Sequence, residues 1–487
     1  MKKCTFIILV AIFSLSLSAQ TTYYVNGSGG NDSNNGTTWN SALSSIQTAL
    51  DKAVSGDKVW VAKGTYKPSK IAGDTPSTDN RDKSFSIPEG VSVFGGFAGN
   101  ESANYNLSLR NFETNETILS GSLDGIMEHN AYHVIIISAV IADISLDGFS
   151  IKDGYADGTG YFNVHGKPIY RAQAGGVTIT SGGAKVFLKN NSIHDNISFD
   201  WGGGIYVVSN GSPSYLINNK IWSNLTTSRG AGIYAYAYST QIYIINNLIY
   251  NNSSSDNGGG MYINTKNNVY VINNTICNNT ATNGGAVYGY TPVTSGNILL
   301  SNSILWGNTP TLIAGHSTNV GITTVQNSIV QGGHVGGTNI IVADPTFVDG
   351  TNGNFRLSNS SPAKNAGNNS SYDLALYGNV DLDNNARIFN TTIDIGAYEF
   401  GSQKVVSAVS IPASNNIVLT CSSDNLKIKG LIGNETISVF DMSGRNISTN
   451  KATRNEFSMS INSLNKGVYF IHIASLININ NIKFIKK

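Results

Sequence analysis

The stretch that decides the fold lies between residues 190 and 290, where one pattern is written four times. NNSIHDN (190–196) leads to GGGIY (202–206), NNKIWSN (218–224) to GAGIY (230–234), NNLIYNN (246–252) to GGGMY (258–262), and NNTICNN (273–279) to GGAVY (284–288). The isoleucine of the first half recurs after 28, 28 and 27 residues. A fixed period of this size is the signature of stacked repeat units that share one core.

Within each repeat, the alternation of side chains assigns the two faces of a strand. Because successive residues of a strand point to opposite sides, Ile205 and Val207 are predicted to face the core. The intervening tyrosines are then predicted to point outward, one above the next at a strand spacing of about 4.8 Å, with Thr178 below them. This outward column consists of Tyr206, Tyr234, Tyr262 and Tyr288.

The doubled asparagines predict a second, structural column at a turn. Amide side chains stacked in register can hydrogen-bond along the axis of the stack. We interpret this column as a ladder that joins neighbouring coils, and the glycines as residues of tight turns. Its predicted members are Asn191, Asn219, Asn247, Asn274 and Asn302.

Length and composition favour an all-β solenoid with a small additional domain. The chain has 487 residues, of which 52 are glycine and only 13% are charged. This length exceeds that of one compact globule, and low charge with many turn residues suits short strands. The net charge of +1 gives no bulk attraction to nucleic acid or to anionic membranes. We expect a monomer with no nucleic-acid partner.

The amino terminus has the build of a secretory signal over residues 1–19. Lys2 and Lys3 precede an apolar run, and small residues end it at Ala19, where cleavage is predicted. Only Cys277 and Cys421 then remain, and they lie in different predicted domains. We therefore expect no structural disulfide in this exported chain.

Residues 20–84 are predicted to form a cap and the first coil. An amphipathic helix over 45–54, with apolar residues at helical spacing, can cover the open end of the stacked sheets. Residues 24–25, 36–39, 46–50 and 56–66 resemble the start of right-handed parallel β-helix proteins of the pectate-lyase-like group. This resemblance implies that coils fill residues 85–342. It identifies a superfamily rather than an activity.

One coil is interrupted by residues 155–174, which we predict to be a projecting loop. It carries His165, Lys167, Tyr170 and Arg171. Elsewhere, Ile221–Asn224 and Gly284–Val287 are similar to the repeats of polymorphic outer-membrane adhesins, a similarity of coil type.

The segment 343–400 is predicted to close the coils. Its stretches 344–349, 354–357, 360–367 and 394–399 resemble the module that follows β-helices in secreted bacterial proteins and precedes a variable choice of surface anchor. Within it, Asp381–Asn385 places alternating carboxylates on a loop. Such a loop can bind calcium or form a hydrogen-bonded turn, and both interpretations stay open.

Residues 401–487 change in character, because lysine becomes common and the glycine-rich coils stop. The stretches 435–445, 464–473 and 482–487 resemble, in order, the motifs of the C-terminal sorting domain of type IX secretion cargo, a small β-sandwich. The resemblance implies passage across the outer membrane, followed by surface attachment or release. The type IX machinery is therefore an expected partner.

Catalytic motifs are sparse. A polysaccharide lyase needs a base beside a sugar carboxylate, and the only cationic group that we can propose is Lys167, Arg171 and Arg229, with Asp153. A glycosidase needs two carboxylates across the scissile bond, but Asp195, Asp200 and Asp256 fall at non-equivalent points of the repeat. No zinc motif, phosphate loop or Ser-His-Asp signature is present, and no resident metal or cofactor is expected beyond the calcium alternative.

The aromatic columns are the candidate binding surface. Flat rings with hydroxyl tips suit sugar rings along a polymer, although tyrosine also simply favours strands. Two hypotheses remain: non-catalytic binding of an extracellular polysaccharide or of a host or neighbouring cell surface, and a polysaccharide lyase or glycoside hydrolase. The candidate binding residues are Tyr206, Tyr234, Tyr236, Tyr262 and Tyr288, with Trp222 and Tyr250 in a second column.

Overall fold

The computed structural model describes two compact units of the chain. The larger unit comprises residues 1–105 and 110–404, and the smaller unit comprises residues 106–109 and 405–487. The described residues of the larger unit are 20–105, 110–292, 296–310, 312–315 and 324–403. Those of the smaller unit are 106–109, 418–421, 425–429, 431, 435–441, 445–452, 456–474 and 479–486. The predicted signal segment 1–19 lies outside the described residues.

From residue 85 onward, successive coils of the larger unit contribute one strand each to sheet 1, an eight-stranded parallel sheet. The register follows the period of the sequence, because Val177 pairs with Ile205, Ile205 with Ile233, and Ile233 with Met261. Its strands are Phe85–Ile87, Ile135–Ala139, Val177–Ser181, Ile205–Ser209, Ile233–Ala237, Met261–Thr265, Val287–Tyr290 and Ile313–Gly315.

The next strand of each coil enters sheet 2, a parallel ladder that begins in the predicted cap. Thr22 pairs with Lys58, and Lys58 pairs with Ser92, so the cap region already belongs to the stack. The strands of sheet 2 are Thr22–Val25, Lys58–Ala62, Ser92–Phe97, Ile144–Asp147, Val186–Lys189, Ser214–Ile217, Ile242–Ile245, Asn268–Ile272, Asn297–Ser301, Thr324–Val330 and Thr338–Ile341.

A turn of one or two residues leads from sheet 2 into sheet 3 in most coils, and the longer segment 98–116 connects Ser92–Phe97 with Thr117–Ser120. The strand Thr324–Val330 pairs with both sheets. The strands of sheet 3 are Gly64–Tyr66, Thr117–Ser120, Ser150–Lys152, Ser192–His194, Lys220–Trp222, Leu248–Tyr250, Thr275–Cys277 and Ile304–Trp306. Four two-residue strands form sheet 4 before the glycine turn: Tyr155–Ala156, Ile197–Ser198, Leu225–Thr226 and Ser253–Ser254. The all-β parallel helix that the repeat predicts is therefore confirmed.

Inward side chains of the sheets form one continuous core. Ile205, Val207, Ile233 and Met261 are fully buried in it, as the alternation predicts. Burial of each such aliphatic side chain contributes about 2 kcal/mol, which is too little for one coil to offset the entropy of ordering its own residues, so the coils depend on one another for stability. Neighbouring coils then share this core along the whole axis.

The α-helix Ile46–Lys52 covers the first coil. Ile46, Ala49 and Leu50 are buried in the main core, and the helix contacts the strands Thr22–Val25, Lys58–Ala62 and Phe85–Ile87. The predicted capping helix is thus confirmed, although it is shorter than 45–54. The other helical turns are the 3-10 turns Trp39–Ser41, Asn80–Asp82, Leu107–Leu109, Met127–His129, Gly350–Asn352 and Asn369–Ser371, and the short helix Leu374–Tyr377.

Two ladders of buried asparagines join the coils. In each, the Oδ1 of one asparagine accepts hydrogen bonds of 2.9–3.2 Å from the backbone nitrogen and Nδ2 of the asparagine one coil earlier. The first ladder is Asn191, Asn219, Asn247 and Asn274, and the backbone nitrogen of Asn274 then binds Ser303 Oγ. The second, which sequence reasoning missed, is Asn196, Asn224, Asn252, Asn279 and Asn308.

The predicted membership of Asn302 in the first ladder is wrong. Asn274 and its partner Ser303 are separated by 29 residues rather than 28. The extra residue moves Asn302 into the preceding turn position, where it has a left-handed φ of 50°. Its Nδ2 there donates to Asn273 Oδ1 at 3.1 Å.

Residues 155–174 do not form a projecting loop. They contain an antiparallel hairpin of the strands Tyr161–Val164 and Lys167–Tyr170. Its apolar residues Phe162, Val164 and Ile169 are buried against Ile136, an outward residue of sheet 1. The hairpin therefore lies on the beginning of the outer face of sheet 1 and covers it.

The closing segment, residues 343–400, packs on the outside of sheets 2 and 3. Tyr372 and Ile393 are buried against Tyr215 and Ile245, while Phe355 and Tyr398 are buried against Leu248. Its strand pairs are Phe347–Asp349 with Asn354–Leu357, and Ile388–Phe389 with Thr392–Ile393. Cys277, a buried free thiol, lies under the same segment.

The smaller unit has two antiparallel sheets around its own core, which includes Leu426, Ile437 and Ile471. The prediction of a small C-terminal β-sandwich is confirmed. One sheet is Val418–Cys421, Asn425–Lys429 and Glu456–Ser460; the other is Asn446–Lys451, Thr436–Asp441, Gly467–Ala474 and Ile479–Lys486.

Candidate functional site

The predicted tyrosine column stands on the outer face of sheet 1. Ring centroids lie 5.4 Å apart between Tyr206 and Tyr234, 5.1 Å between Tyr234 and Tyr262, and 5.2 Å between Tyr262 and Tyr288. Interplanar angles are 24°, 7° and 8°. Thr178 lies directly below Tyr206 in the register, so the predicted stack of one ring above another is confirmed.

The ring faces of this column are not open to a ligand. Only 2% of Tyr234 and 4% of Tyr262 is exposed, because strand spacing brings each ring into contact with the next. Trp201 adds another stacked ring 4.9 Å from Tyr234. The expectation that sugar rings stack on these faces is therefore wrong for the two central tyrosines, which can offer only ring edges and hydroxyl tips.

Burial also keeps the hydroxyls of the column protonated. Desolvation raises the pKa of Tyr206 and of Tyr234 well above the usual range of tyrosine, and raises that of Tyr262 to about 12. A protonated phenol both donates and accepts a hydrogen bond. The column thus presents neutral polar tips at every physiological pH.

A more exposed aromatic pair lies beside the column. Tyr236 is the next outward residue after Tyr234, and its ring meets that of Tyr238 edge-on at 5.5 Å. Tyr238 is 44% exposed, and the ammonium of Lys266 lies 4.4 Å from the centre of its ring. This pair has the open aromatic surface that the column itself lacks.

Charged side chains converge at the same face. Arg229 Nε donates to Asp256 Oδ2 at 3.2 Å, and its guanidinium lies 5.4 Å from the centre of the Tyr262 ring. Nearby, Gln173 Nε2 donates to Asp200 Oδ2 at 3.2 Å. Burial raises the pKa of Asp200, although Gln173 and the charge of Arg229 act in the opposite direction. An acid and a cation thus meet beside the tyrosines.

The structure does not bring the three candidate catalytic cations together. Arg171 makes a two-pronged ion pair with the fully buried carboxylate of Asp82, with Nε–Oδ1 at 2.8 Å and Nη2–Oδ2 at 2.7 Å. The side chain of Lys167 lies against Gly182. Arg229 alone stands at the tyrosine column. Arg171 therefore fastens the hairpin.

Trp222 and Tyr250 belong to a different surface. They stack outside sheet 3 with centroids 5.8 Å apart, His194 stacks on Trp222 at 4.2 Å, and Phe355 of the closing segment meets Tyr250 at 5.2 Å. The proposed binding residues therefore divide between two faces, one of which is partly covered.

A third column escaped the sequence analysis. On the outer face of sheet 2, Phe187, Tyr215, Tyr243 and Tyr270 stack at 4.8–5.0 Å. Tyr372 and Tyr377 of the closing segment cover it. The signal was present, since Tyr215 and Tyr243 are 28 residues apart, but the sequence gives no sign of which column is covered.

The loop Asp381–Asn385 does not suit a calcium ion. Asp381 uses its two oxygens to accept backbone hydrogen bonds from Asp383, Asn385 and Glu399. Arg356 occupies both oxygens of Asp383 at 2.6 Å. Calcium needs several unengaged oxygen ligands, and these contacts describe a hydrogen-bonded turn. Within the described residues, no group of three or more His, Cys, Asp or Glu side chains could hold a metal ion.

His133, which is buried beneath the hairpin, is expected to make the free energy of unfolding depend on pH. Its Nδ1 donates to the carbonyl of Ala174 at 2.9 Å, and burial lowers its pKa to about 4. Because the unfolded histidine binds a proton near pH 6.5, stability is lost as pH falls from 6.5 towards 4. We expect a loss of about 3 kcal/mol in the free energy of unfolding between pH 7 and pH 4.

Urea unfolding of the full chain and of the His133→Gln variant checks this expectation by difference. The buried groups that face His133 are Thr178, Asp82 and Arg171, with Phe162 above the ring, and all of them are retained in the variant. The stability advantage of the native histidine over glutamine should shrink by about 3 kcal/mol on acidification. Parallel pH profiles for the two proteins would contradict the assignment.

Two families match parts of the chain. Residues 124–305 match the family described as "Right handed beta helix region", and residues 411–487 match the "Secretion system C-terminal sorting domain". The chain therefore contains a right-handed β-helix region and a C-terminal sorting domain. That domain indicates handling by the type IX secretion machinery and export across the outer membrane, to the cell surface or the medium. Residues 343–400 lie outside both matches.

Three solved structures are similar to this chain at low sequence identity. A pectate lyase, Pel9A, is 14% identical over 79% of this chain and 97% of its own, with a TM-score of 0.39. A rhamnogalacturonan lyase is 14% identical over 66% and 85%, with a TM-score of 0.41, and XylC in complex with xylose is 11% identical over 96% and 100%, with a TM-score of 0.28. No curated protein sequence matches significantly. Among the described residues, no helix has the length and apolar character needed to cross a membrane.

Proposed function

We propose that this secreted protein binds an extracellular polysaccharide, without cleaving it, along the outer face of sheet 1. The observation that carries the proposal is the contrast between the faces. The closing segment covers the aromatic column of sheet 2 and the Tyr250 end of the column of sheet 3. Beside the strand Ile233–Ala237 of sheet 1, Tyr238 stays 44% exposed and the side chain of Arg229 stays 40% exposed.

The chemistry of this face suits sugars. Sugar hydroxyls donate and accept hydrogen bonds, and so do the more exposed hydroxyls of Tyr236 and Tyr238. Arg229 and Asp256 add a donor and an acceptor that neutralise one another. The open ring of Tyr238 can pack against the C–H face of a sugar. A neutral or weakly charged glycan fits this combination.

The geometry also favours an extended ligand. Equivalent outward positions recur once per coil, so polar tips and rings form a line along the axis of the helix. At one end, the hairpin covers sheet 1 and places the exposed rings of Tyr161 and Tyr170 5.4 Å apart. A polymer chain that follows this line would contact several coils at once, so that many weak contacts contribute to binding.

The protonation of Arg229 and Arg171 agrees better with binding of a polysaccharide than with lyase chemistry. A base must be able to give up its proton near neutral pH. Burial lowers the pKa of Arg229, but its hydrogen bond to Asp256 and the neighbouring tyrosines outweigh this and raise it overall. Arg171 is held by Asp82. Neither arginine is therefore suited to remove a proton from a sugar.

Affinity electrophoresis of the full chain through gels containing xylan, glucomannan, polygalacturonate or alginate tests the proposal. We expect retardation by at least one polymer. The triple variant Tyr236→Ala, Tyr238→Ala, Arg229→Gln should lose about tenfold or more in association constant, because exposed aromatic and arginine contacts dominate such surfaces.

Phe389→Ala is the matched control. Phe389 is 38% exposed but belongs to a strand of the closing segment rather than to sheet 1, so its loss should leave retardation unchanged. Migration unaffected by all four polymers, or retardation that is equal in the triple variant and the native chain, would overturn the proposal.

Asp200 supports a second candidate, a glycoside hydrolase. Its burial raises the pKa of the carboxyl group, which is the state required of a general acid, and Asp256 is a second carboxylate at the same face. New reducing ends formed by the native chain and abolished in Asp200→Asn would establish this activity in place of simple binding. Equal background release by both proteins would exclude it.

A further inference from the structure

A cavity of about 570 Å³ lies elsewhere in the larger unit, away from sheet 1. Its walls are the segment 110–116, the turns around Asn190 and Asn218 before sheet 3, and the loop 382–385 of the closing segment. Pockets for small ligands typically span about 300–1,000 Å³. This cleft therefore has the size of a ligand site.

One wall of the cleft is formed by a column of asparagines that recur once per coil in the turn before sheet 3. All of them have a left-handed backbone conformation: Asn190, Asn218, Asn246, Asn273 and Asn302. Higher in this column, the amides hold the closing segment: Asn246 Nδ2 donates to the hydroxyl of Tyr372 at 2.9 Å and to the carbonyl of Val380 at 3.0 Å. Asn273 Nδ2 donates to the carbonyl of Asp394 at 2.9 Å. The amides of Asn246 and Asn273 thus bind hydroxyl and carbonyl oxygens of the segment that packs against their coils.

Asn218 occupies the equivalent position one coil below Asn246, and there the cleft replaces the closing segment. Asn218 is 8% exposed, lines the cleft, and makes no side-chain hydrogen bond within the described part of the chain. Below it, Asn190 Nδ2 donates to Asp147 at 2.9 Å. The Oδ1 atoms of Asn218 and Asn246 are both buried without a partner, so the two coils differ in Nδ2. The Nδ2 of Asn246 donates to the closing segment, whereas that of Asn218 lies at the cleft and can donate to a hydroxyl oxygen of a ligand there.

The charges around the cleft cancel. Hydrogen bonds from Arg356 to Asp383 raise the pKa of the arginine, and Glu113 from the facing wall contributes in the same direction. Three cations and three carboxylates line the cleft, which gives a sum of zero: Arg110, Lys220 and Arg356, with Glu113, Glu116 and Asp383. A lining of this kind offers hydrogen-bond donors and acceptors on several sides of a ligand but does not favour a ligand with a net charge.

We propose that this cleft is a binding site for a short neutral oligosaccharide, held through its hydroxyl groups by the amide of Asn218. The ring of Phe112 in the same wall provides an apolar surface for a sugar ring. The site is separate from sheet 1 and does not depend on the function proposed for that face.

Saturation-transfer NMR on the full chain with cellotriose, xylotriose, mannotriose and trigalacturonate tests the site. The Tyr236→Ala, Tyr238→Ala, Arg229→Gln background removes the contribution of sheet 1, so the two proposals fail independently. We expect signal from a neutral trisaccharide in this background. Adding Asn218→Gly should weaken binding about tenfold, and glycine preserves the left-handed φ of 58°.

Two further variants keep the result interpretable. Asn251→Gly is the matched control, because Asn251 also has a left-handed φ, 53°, but is exposed outside the cleft, and its loss should change nothing. Ser192→Trp places an indole within the cleft and should abolish the signal. Absence of saturation transfer from every neutral trisaccharide, binding of trigalacturonate alone, or insensitivity to both Asn218→Gly and Ser192→Trp would overturn the proposal.

Discussion

Replacing Asn219 by alanine is expected to lower the free energy of unfolding by about 5 kcal/mol. The side chain makes four buried hydrogen bonds. Its Oδ1 accepts from the backbone nitrogen and Nδ2 of Asn191 at 3.0 and 3.1 Å, and its Nδ2 donates to Leu188 O at 2.9 Å and Asn247 Oδ1 at 3.0 Å. The asparagines involved are at most 1% exposed, so water cannot replace the lost partners.

Urea unfolding followed by far-ultraviolet circular dichroism measures this loss. Asn210→Ala is the matched control, because Asn210 is exposed in a loop and its side chain accepts one hydrogen bond from Ser239 at 3.0 Å. We expect its stability to change by no more than about 0.5 kcal/mol. Similar losses in the two variants would show that the buried ladder does not stabilise the coils.

The Arg171→Ala variant is expected to lose about 4 kcal/mol, because it leaves the carboxylate of Asp82 buried and without its cation. No part of the Asp82 side chain is exposed, and apart from Arg171 its carboxylate accepts a hydrogen bond from Ser77. The ion pair links the hairpin to the turn Asn80–Asp82, so its removal should also free the hairpin. Hydrogen exchange of residues 155–174 should then rise before global unfolding.

Arg229→Ala is the internal comparison for this prediction. The pair of Arg229 and Asp256 is 40% and 42% exposed, and such exposed pairs contribute about 1 kcal/mol or less. Adding Asp82→Asn to Arg171→Ala should recover part of the lost stability, since it removes the buried charge. Unchanged protection of the hairpin in Arg171→Ala would contradict the fastening role of this residue.

The features that the sequence predicts well are those set by its period. Val177, Ile205, Ile233 and Met261 pair in the predicted register because each coil repeats the same local pattern. The outward position of Tyr234 follows from simple alternation. The register error at Asn302 arose where one coil gains a residue, and a fixed count of 28 misses such an insertion.

The features that escaped prediction depend on contacts between distant residues. Arg171 meets Asp82, 89 positions earlier, and nothing near either residue indicates the partner. Burial of Tyr234 depends on ring spacing and on Trp201, and the covering of Tyr243 depends on Tyr377. For the candidate site, the sequence supplies the tyrosines and Arg229, whereas their accessibility can only be read from the fold.

The closing segment has a mechanical consequence for a protein exposed to flow at a cell surface. In a parallel β-helix, the hydrogen bonds between strands run along the axis, so tension between the ends can peel coils away one at a time. The segment grips the coils of Asn246, Asn273 and Asn302 at once. Separation of any one of these coils requires the contacts of the closing segment to break, so these coils are expected to resist traction together.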